Sequence, residues 1–374
     1  MSGVNASEAP GRAGTATAQV RVMLCDDSAT VRGALARVLE ADPAMRIVAR
    51  AGDGRQALAA LATLPVAARP QVILLDLEMP VMDGMTALPL LLQQRPRPAV
   101  IVASALTQRG AATAMAALRA GAADYIPKPG AAGGGLNDPG FRAELLAKVK
   151  GWARMGQPAL AAAAPPVLQP IPRRAGPAPR AIGIGSSTGG PQALALLVRS
   201  LKAPLPVPVI VVQHMPGGFT TMLADHLNRL GGPPCSEARD GEMAQPGRLY
   251  VAPGNSHLLV QPASGGGLAL RLSDAPPENF CRPAVDPMLR SLARACGGPV
   301  MAVILTGMGQ DGLAGCRAVA AAGGTVLAQD EASSVVWGMP GAVARAGLAQ
   351  VLLPPAALAN EIAIACGGTR GRAA

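Results

Sequence analysis

The sequence predicts an α/β protein built from two doubly wound parallel-sheet domains joined by a linker. Three observations predict it. Short Val/Ile/Leu-rich runs alternate with helical patterns along two separate stretches, the signature of repeated strand–helix units. The chain is 50% apolar yet only 2% aromatic, so its cores must be built from Ala, Val, Leu, Ile and Met, which suits helices packed on a parallel sheet. At 374 residues it is long enough to bury two sizeable cores.

Taken in order, residues 1–18 are small and polar and read as a disordered tail. A first domain spans 19–138, with strands expected at 20–25, 47–50, 71–75, 99–103 and 123–126. Helices fit 28–41, 54–64, 84–95 and 109–120, and a last helix at 139–154 closes this domain. Residues 155–179 are rich in Pro, Ala and Arg and read as a semi-rigid, exposed linker. A second alternating domain spans 180–368 before a short tail, 369–374. Its strands are expected to include 181–184, 209–213, 248–251, 268–272, 300–305 and 325–327. No internal repeat is visible.

The bulk numbers exclude several classes of function. A net charge of +10 suggests attraction to acidic partners. However, the excess Arg lies largely in tail and linker without interleaved aromatics, so nucleic-acid binding is not expected. Six cysteines form no C-x-x-C pair and no zinc-ligand spacing, and read as buried thiols in a reducing compartment. No apolar run reaches the ~18 residues that span a bilayer, and no secretory h-region follows the N-terminal charges. The expectation is a cytoplasmic monomer with no membrane insertion.

The first domain places polar residues at strand ends, where ligands of parallel sheets bind. Asp26 and Asp27 end the first strand, Asp76 the third and Ser104 the fourth, while Lys128 follows the fifth. Three carboxylates in one crevice repel unless a hard cation sits among them, and Mg²⁺ with oxygen ligands suits the set. The cation would also offset a phosphoryl group arriving on Asp76, whose oxygens Ser104 and Lys128 could hold. Singly, each residue has a plain structural role as a cap or surface charge.

The motifs Cys25-Asp26-Asp27-Ser28, Leu75-Asp76-Leu77-Glu78-Met79-Pro80, Asp83-Gly84, Ser104-Ala105 and Lys128-Pro129 resemble the receiver domain of two-component response regulators. The resemblance implies a flavodoxin-like fold with Asp76 as phosphoacceptor. It implies Mg²⁺ held by Asp26, Asp27 and Asp76, Ser104 and Lys128 on the phosphoryl group, and Tyr125 as the switch aromatic. A histidine kinase of the chemotaxis type would be the phosphodonor.

In the second domain, a short apolar strand runs into Gly185-Ser186-Ser187-Thr188-Gly189-Gly190 and then a Pro-led helix. Gly185, Ser187 and Gly189 fit the G-x-S-x-G spacing of a nucleophile elbow, in which glycines allow the sharp turn and the hydroxyl stands exposed. A serine nucleophile needs a base, and the chain has three histidines. His226 lies in an expected helix at 220–230, His257 in a turn that could line the site. His214 directly ends the strand Val209–Gln213. Asp311, in the Gly-rich stretch after Leu305, is the best candidate to orient the imidazole. A dinucleotide site is disfavoured because Thr188 replaces the third glycine and Gln213-His214 stands where an acid should hold the ribose. The Ser, His, Asp order also differs from the ordinary α/β-hydrolases.

The segments Gly183–Gly190, Gln213-His214-Met215-Pro216, Arg282-Pro283 with Val285-Asp286, Leu305–Gly312 and Gln329-Asp330-Glu331 through Pro340 resemble the catalytic domain of chemotaxis-type protein-glutamate methylesterases. That implies a Rossmann-like three-layer domain needing no cofactor of its own. It implies Ser187 as nucleophile, His214 as base and Asp311 as orienting carboxylate, with Thr188 and Met308 at the oxyanion site. The substrate would be methyl-accepting chemotaxis receptors, demethylated and deamidated under control of the receiver. Ser186 stands where alanine is usual in the family, which leaves open which serine attacks.

Overall fold

The computed structural model describes residues 19–105, 107–128, 135, 138–156, 178–201 and 205–367. The expected tails 1–18 and 369–374, and residues 157–177 of the expected linker, lie outside them. The first sheet runs β1 (Val20–Cys25), β2 (Met45–Ala51), β3 (Val72–Asp76), β4 (Ala99–Ser104) and β5 (Asp124–Pro127), all parallel and ordered β2-β1-β3-β4-β5. Alternate residues serve the two faces. Val22, Leu24, Leu74 and Ile101 pack under α1 (Ala29–Glu40) and α5 (Pro139–Met155). Met23, Ile73, Leu75, Val100 and Val102 pack under α2 (Gly54–Thr63), α3 (Gly84–Leu92) and α4 (Gln108–Arg119). Each of these five helices starts on a side-chain cap, from Ser28, Asp53, Asp83, Thr107 and Asp138.

The second sheet is also parallel: β6 (Ile182–Ser186), β7 (Val209–Gln213), β8 (Cys235–Glu237), β10 (Leu249–Val251), β13 (Met301–Ile304), β14 (Thr325–Gln329) and β15 (Val351–Leu353). Its order is β15-β14-β13-β6-β7-β10-β8, so the direction of winding reverses between β13 and β6. Helices α6 (Gly190–Ser200), α7 (Phe219–Asn228) and α11 (Pro355–Ala365) cover one face, and α8 (Val285–Cys296), α9 (Leu313–Ala321) and α10 (Met339–Arg345) the other. Here α6, α7 and α9 begin on glycines with positive φ, Gly189 (74°), Gly218 (82°) and Gly312 (92°), without any side-chain cap. Their N-terminal amides are therefore left for other partners.

Sequence and structure differ in detail. Helix α3 ends at Leu92, short of the expected 95, and β2 is longer than 47–50. The three-residue edge strands β8 and β15 carry too little pattern to be read. Strand β11 (His257–Pro262) joins β12 (Leu268–Ser273) and β9 (Met243–Ala244) in a separate antiparallel sheet rather than extending the main one.

Candidate active site

The reversal point between β13 and β6 is where an open α/β sheet forms a ligand crevice, and the serine turn leaves β6 there. Ser186 ends the strand fully buried, its hydroxyl donating to Gln213 Oε1 at 2.7 Å. Ser187 is next, half-buried at the turn. Its amide donates to Thr306 O at 3.0 Å, and its carbonyl accepts from Gln213 Nε2 at 2.9 Å and Gly190 N at 2.8 Å. Close approach is what the neighbouring glycines supply. A Cβ at Gly307 would stand 2.8 Å from the Ser187 Cβ, and one at Gly189 2.5 Å from Val335. Thr188 is buried beneath the turn, while Met308 is 40% exposed beside it.

His214 follows β7, the strand paired with β6, and its amide donates to Ser186 O at 3.0 Å. Its Nε2 lies 2.8 Å from Asp311 Oδ2. Asp311 is almost wholly buried and takes four further hydrogen bonds: Val285 N on Oδ2, and Asn279 Nδ2, Asp286 N and Gly312 N on Oδ1. The Val285 and Asp286 amides begin α8, so the carboxylate also sits at a helix N-terminus. Burial pushes Asp311 up, but His214 and these amides hold it below the usual carboxylate range. Burial likewise opposes charge on His214, but Asp311 and Cys281 raise its pKa above the ordinary imidazole value.

The remaining ring nitrogen, Nδ1, lies 3.4 Å from the Cys281 thiol. Among the described residues the Ser187 hydroxyl has no hydrogen-bond partner, so the serine–imidazole link is not made here. His257 is buried away from the crevice, where Nδ1 accepts from Ala284 N and Nε2 donates to Pro276 O. It ties down the segment before α8 rather than lining the site. His226 is half-buried against a 460 Å³ cavity that Arg119 and Arg199 also line.

The first domain has its own reversal point, between β1 and β3. Ligand atoms of Asp26, Asp27 and Asp76 lie within 4.8 Å of one another. Lys128 Nζ contacts Asp76 Oδ2 at 2.6 Å and Asp26 Oδ2 at 2.9 Å. The Asp26 contact is an ion pair without hydrogen-bond alignment, so this buried oxygen has no hydrogen bond. Burial raises Asp76 in spite of Lys128. An all-oxygen donor set of three carboxylates facing a single lysine fits a hard divalent cation. Ser104 lines a small cavity with Asp76 and Lys128, but its hydroxyl donates to Gly110 O at 2.8 Å. Tyr125 is buried and stacks on Phe219 of α7, ring centroids 4.9 Å apart.

That stack belongs to a direct contact between the two domains. Asp124 Oδ2 accepts from Gly189 N at 3.2 Å, an uncapped amide two residues past Ser187, and from Trp152 Nε1 at 3.2 Å. Gln192 Nε2 donates to Ala122 O at 2.6 Å, and Arg154 donates to Ser334 O. Val335 wedges between Gly151 of α5 and Gly189, where a Cβ on either glycine would clash with it. Sequence reasoning missed Gln213, Asn279, Cys281, Asp286 and Asp124. Gln213 and Asp286 carried a signal, the first beside His214 at a strand end and the second within the Val285-Asp286 segment quoted above.

Comparison with known proteins adds to this geometry. The family described as CheB methylesterase matches residues 182–362, and the response regulator receiver domain matches 22–134. A protein-glutamate methylesterase/protein-glutamine glutaminase of Azospirillum brasilense is 50% identical over 358 residues, covering 90% of either chain. One of Caulobacter vibrioides is 49% identical over 338 residues, covering 90% of this chain and 95% of the other. The Thermotoga maritima CheB methylesterase catalytic domain is 41% identical, with a TM-score of 0.48, and covers 49% of this chain and 97% of that one.

Proposed function

This chain belongs to the CheB methylesterase family, with a response regulator receiver domain preceding the esterase, and from that premise we propose how its own residues act. The protein hydrolyses γ-methyl esters of glutamate side chains on methyl-accepting chemotaxis receptors, and deamidates receptor glutamines, in the cytoplasm. The observation that carries this reading is the His214–Asp311 pair beside the Ser187 turn at the sheet's reversal point.

Ser187 Oγ attacks the side-chain carbonyl carbon, and His214 takes the hydroxyl proton. Asp311 occupies Nε2, so Nδ1 is the nitrogen that serves as base. The Thr188 side chain and the backbone around Met308 receive the oxyanion. His214 then protonates the leaving methoxide or amide nitrogen, and methanol or ammonia departs. Water hydrolyses the glutamyl ester on Ser187 with His214 again as base. The buried Ser186 hydroxyl, bonded to Gln213, supports Ser187 rather than Ser186 as the nucleophile.

A histidine kinase phosphorylates Asp76. Asp26, Asp27 and Asp76 would hold Mg²⁺, which would offset the negative charge of the phosphoryl group. Lys128 and Ser104 hold the phosphoryl oxygens. Ser104 must leave Gly110 O to do so, and Tyr125 relays that rearrangement to Phe219. The receiver, 19–138 with the helix 139–154, sits on the esterase, 180–368, until phosphorylation weakens their contact; the protein works as a monomer. The test is methanol release from methylated receptor membranes by wild type and Ser187→Ala, each with and without a small phosphodonor and Mg²⁺. Release that needs Ser187 and rises with phosphodonor supports both parts. No release under any condition rejects the esterase assignment.

A further inference from the structure

Between β12 and α8 a strap, 274–284, passes beside His214. Within it Glu278 and Cys281 exchange backbone hydrogen bonds, Glu278 N to Cys281 O at 3.1 Å and Cys281 N to Glu278 O at 2.9 Å. The two residues between them, Asn279 (φ 52°) and Phe280 (φ 62°), are both left-handed. A two-residue turn of this hand strongly favours glycine at its second position, because a Cβ there crowds the backbone. A phenylalanine at that position is strained. It is also fully exposed, at 104%, whereas the other six aromatic residues of the chain are buried or half-buried.

The turn is held rigidly. The Asn279 amide donates to both Asp311 Oδ1 and Asp286 Oδ2 at 3.0 Å, and Arg290 makes two 2.6 Å bonds to Glu278. The next residue, Cys281, contacts His214. Phe280 therefore carries an apolar ring on a fixed turn next to the residue that touches His214, exposed even with the receiver docked. Backbone strain and exposed apolar area at one residue mark a place where function, not stability, selects the side chain.

We propose that Phe280 is a specificity-determining substrate contact, packing its ring on an apolar side chain of the receptor polypeptide close to the target glutamate. The proposal rests on the esterase reading above. In the cycle, Phe280 captures the flanking polypeptide while the ester side chain reaches Ser187.

The experiment measures methanol release from methylated receptor membranes by the phosphodonor-activated full chain, comparing wild type, Phe280→Gly and Phe280→Leu. A fluorophosphonate that labels Ser187 reports whether the site is intact. Phe280→Gly relieves the strained turn, so its Tm should equal or exceed that of wild type and its labelling rate should be unchanged. Burying a phenylalanine is worth enough to predict a KM for receptor raised about 10-fold or more, with kcat within about 2-fold and Phe280→Leu intermediate. A KM for Phe280→Gly within 2-fold of wild type overturns the proposal. So does a matching loss of labelling rate, which would make the turn only a support for Asp311. Self-association lost in Phe280→Gly at unchanged KM would assign the ring to a second copy. No release by wild type itself would instead reject the esterase reading.

Discussion

The two crevices of this protein lie at equivalent places, each at the reversal point of a parallel sheet, yet they are finished in opposite ways. In the esterase domain, Asp311 is complete: five donors, four of them backbone or side-chain groups of the scaffold, satisfy both its oxygens. In the receiver, three carboxylates face one lysine, and Asp26 Oδ2 is buried without a hydrogen bond. One site is preorganised for chemistry that its own residues perform. The other sets three carboxylates against one lysine, a shortfall of positive charge that a hard divalent cation would offset. A crevice that must respond to a signal cannot be satisfied before the signal arrives.

The comparison can be broken most severely at the nucleophile. Ser187→Ala is expected to lower kcat by about 10⁴-fold or more, as loss of a triad serine does, while Ser186→Ala should retain most activity; equal losses would reverse the assignment of the two serines. Next in size is Asp311→Asn, expected to cost about 10²–10⁴-fold in kcat. The sign of its pH effect sharpens the point. Asp311 raises His214, the base works only when neutral, and activity therefore falls as pH drops through the His214 pKa. Removing the charge lowers that pKa, so the acid limb of the kcat/KM profile should move to lower pH. An unmoved limb would show that Asp311 does not set the imidazole.

In the receiver, Asp76→Asn should abolish the increase in methanol release that phosphodonor and Mg²⁺ produce, and retained stimulation would place the phosphoryl group elsewhere. The smallest effect is expected at the contact between the domains. Gln192→Ala removes one neutral hydrogen bond to Ala122 O, worth about 1 kcal/mol. Activity without phosphodonor should rise about 2- to 10-fold, and activity with it should stay the same. No rise would mean that this contact does not restrain the enzyme.

Much of the site was legible because parallel sheets bring strand ends together. Asp26, Asp76, Ser187 and His214 each follow an apolar run, so their grouping could be read once the strands were ordered. Asn279 could not be found this way. It lies 32 residues from Asp311 in sequence, on a turn whose left-handed backbone has no strong signal without glycine. Cys281 looked like any other buried thiol, and Asp124 begins β5, at the opposite end from the strand ends where ligands were expected. Its partner, Gly189, lies in the other domain.

The amino-acid sequence by itself determined the two alternating domains, the residues at their strand ends and the glycines of the serine turn, because periodicity and backbone permissiveness are local properties. Only the tertiary structure decided which serine is accessible, which imidazole nitrogen Asp311 takes, and that Tyr125 stacks on Phe219 of the other domain. Those outcomes depend on burial and on partners brought from distant segments, and neither is encoded in any one stretch of chain.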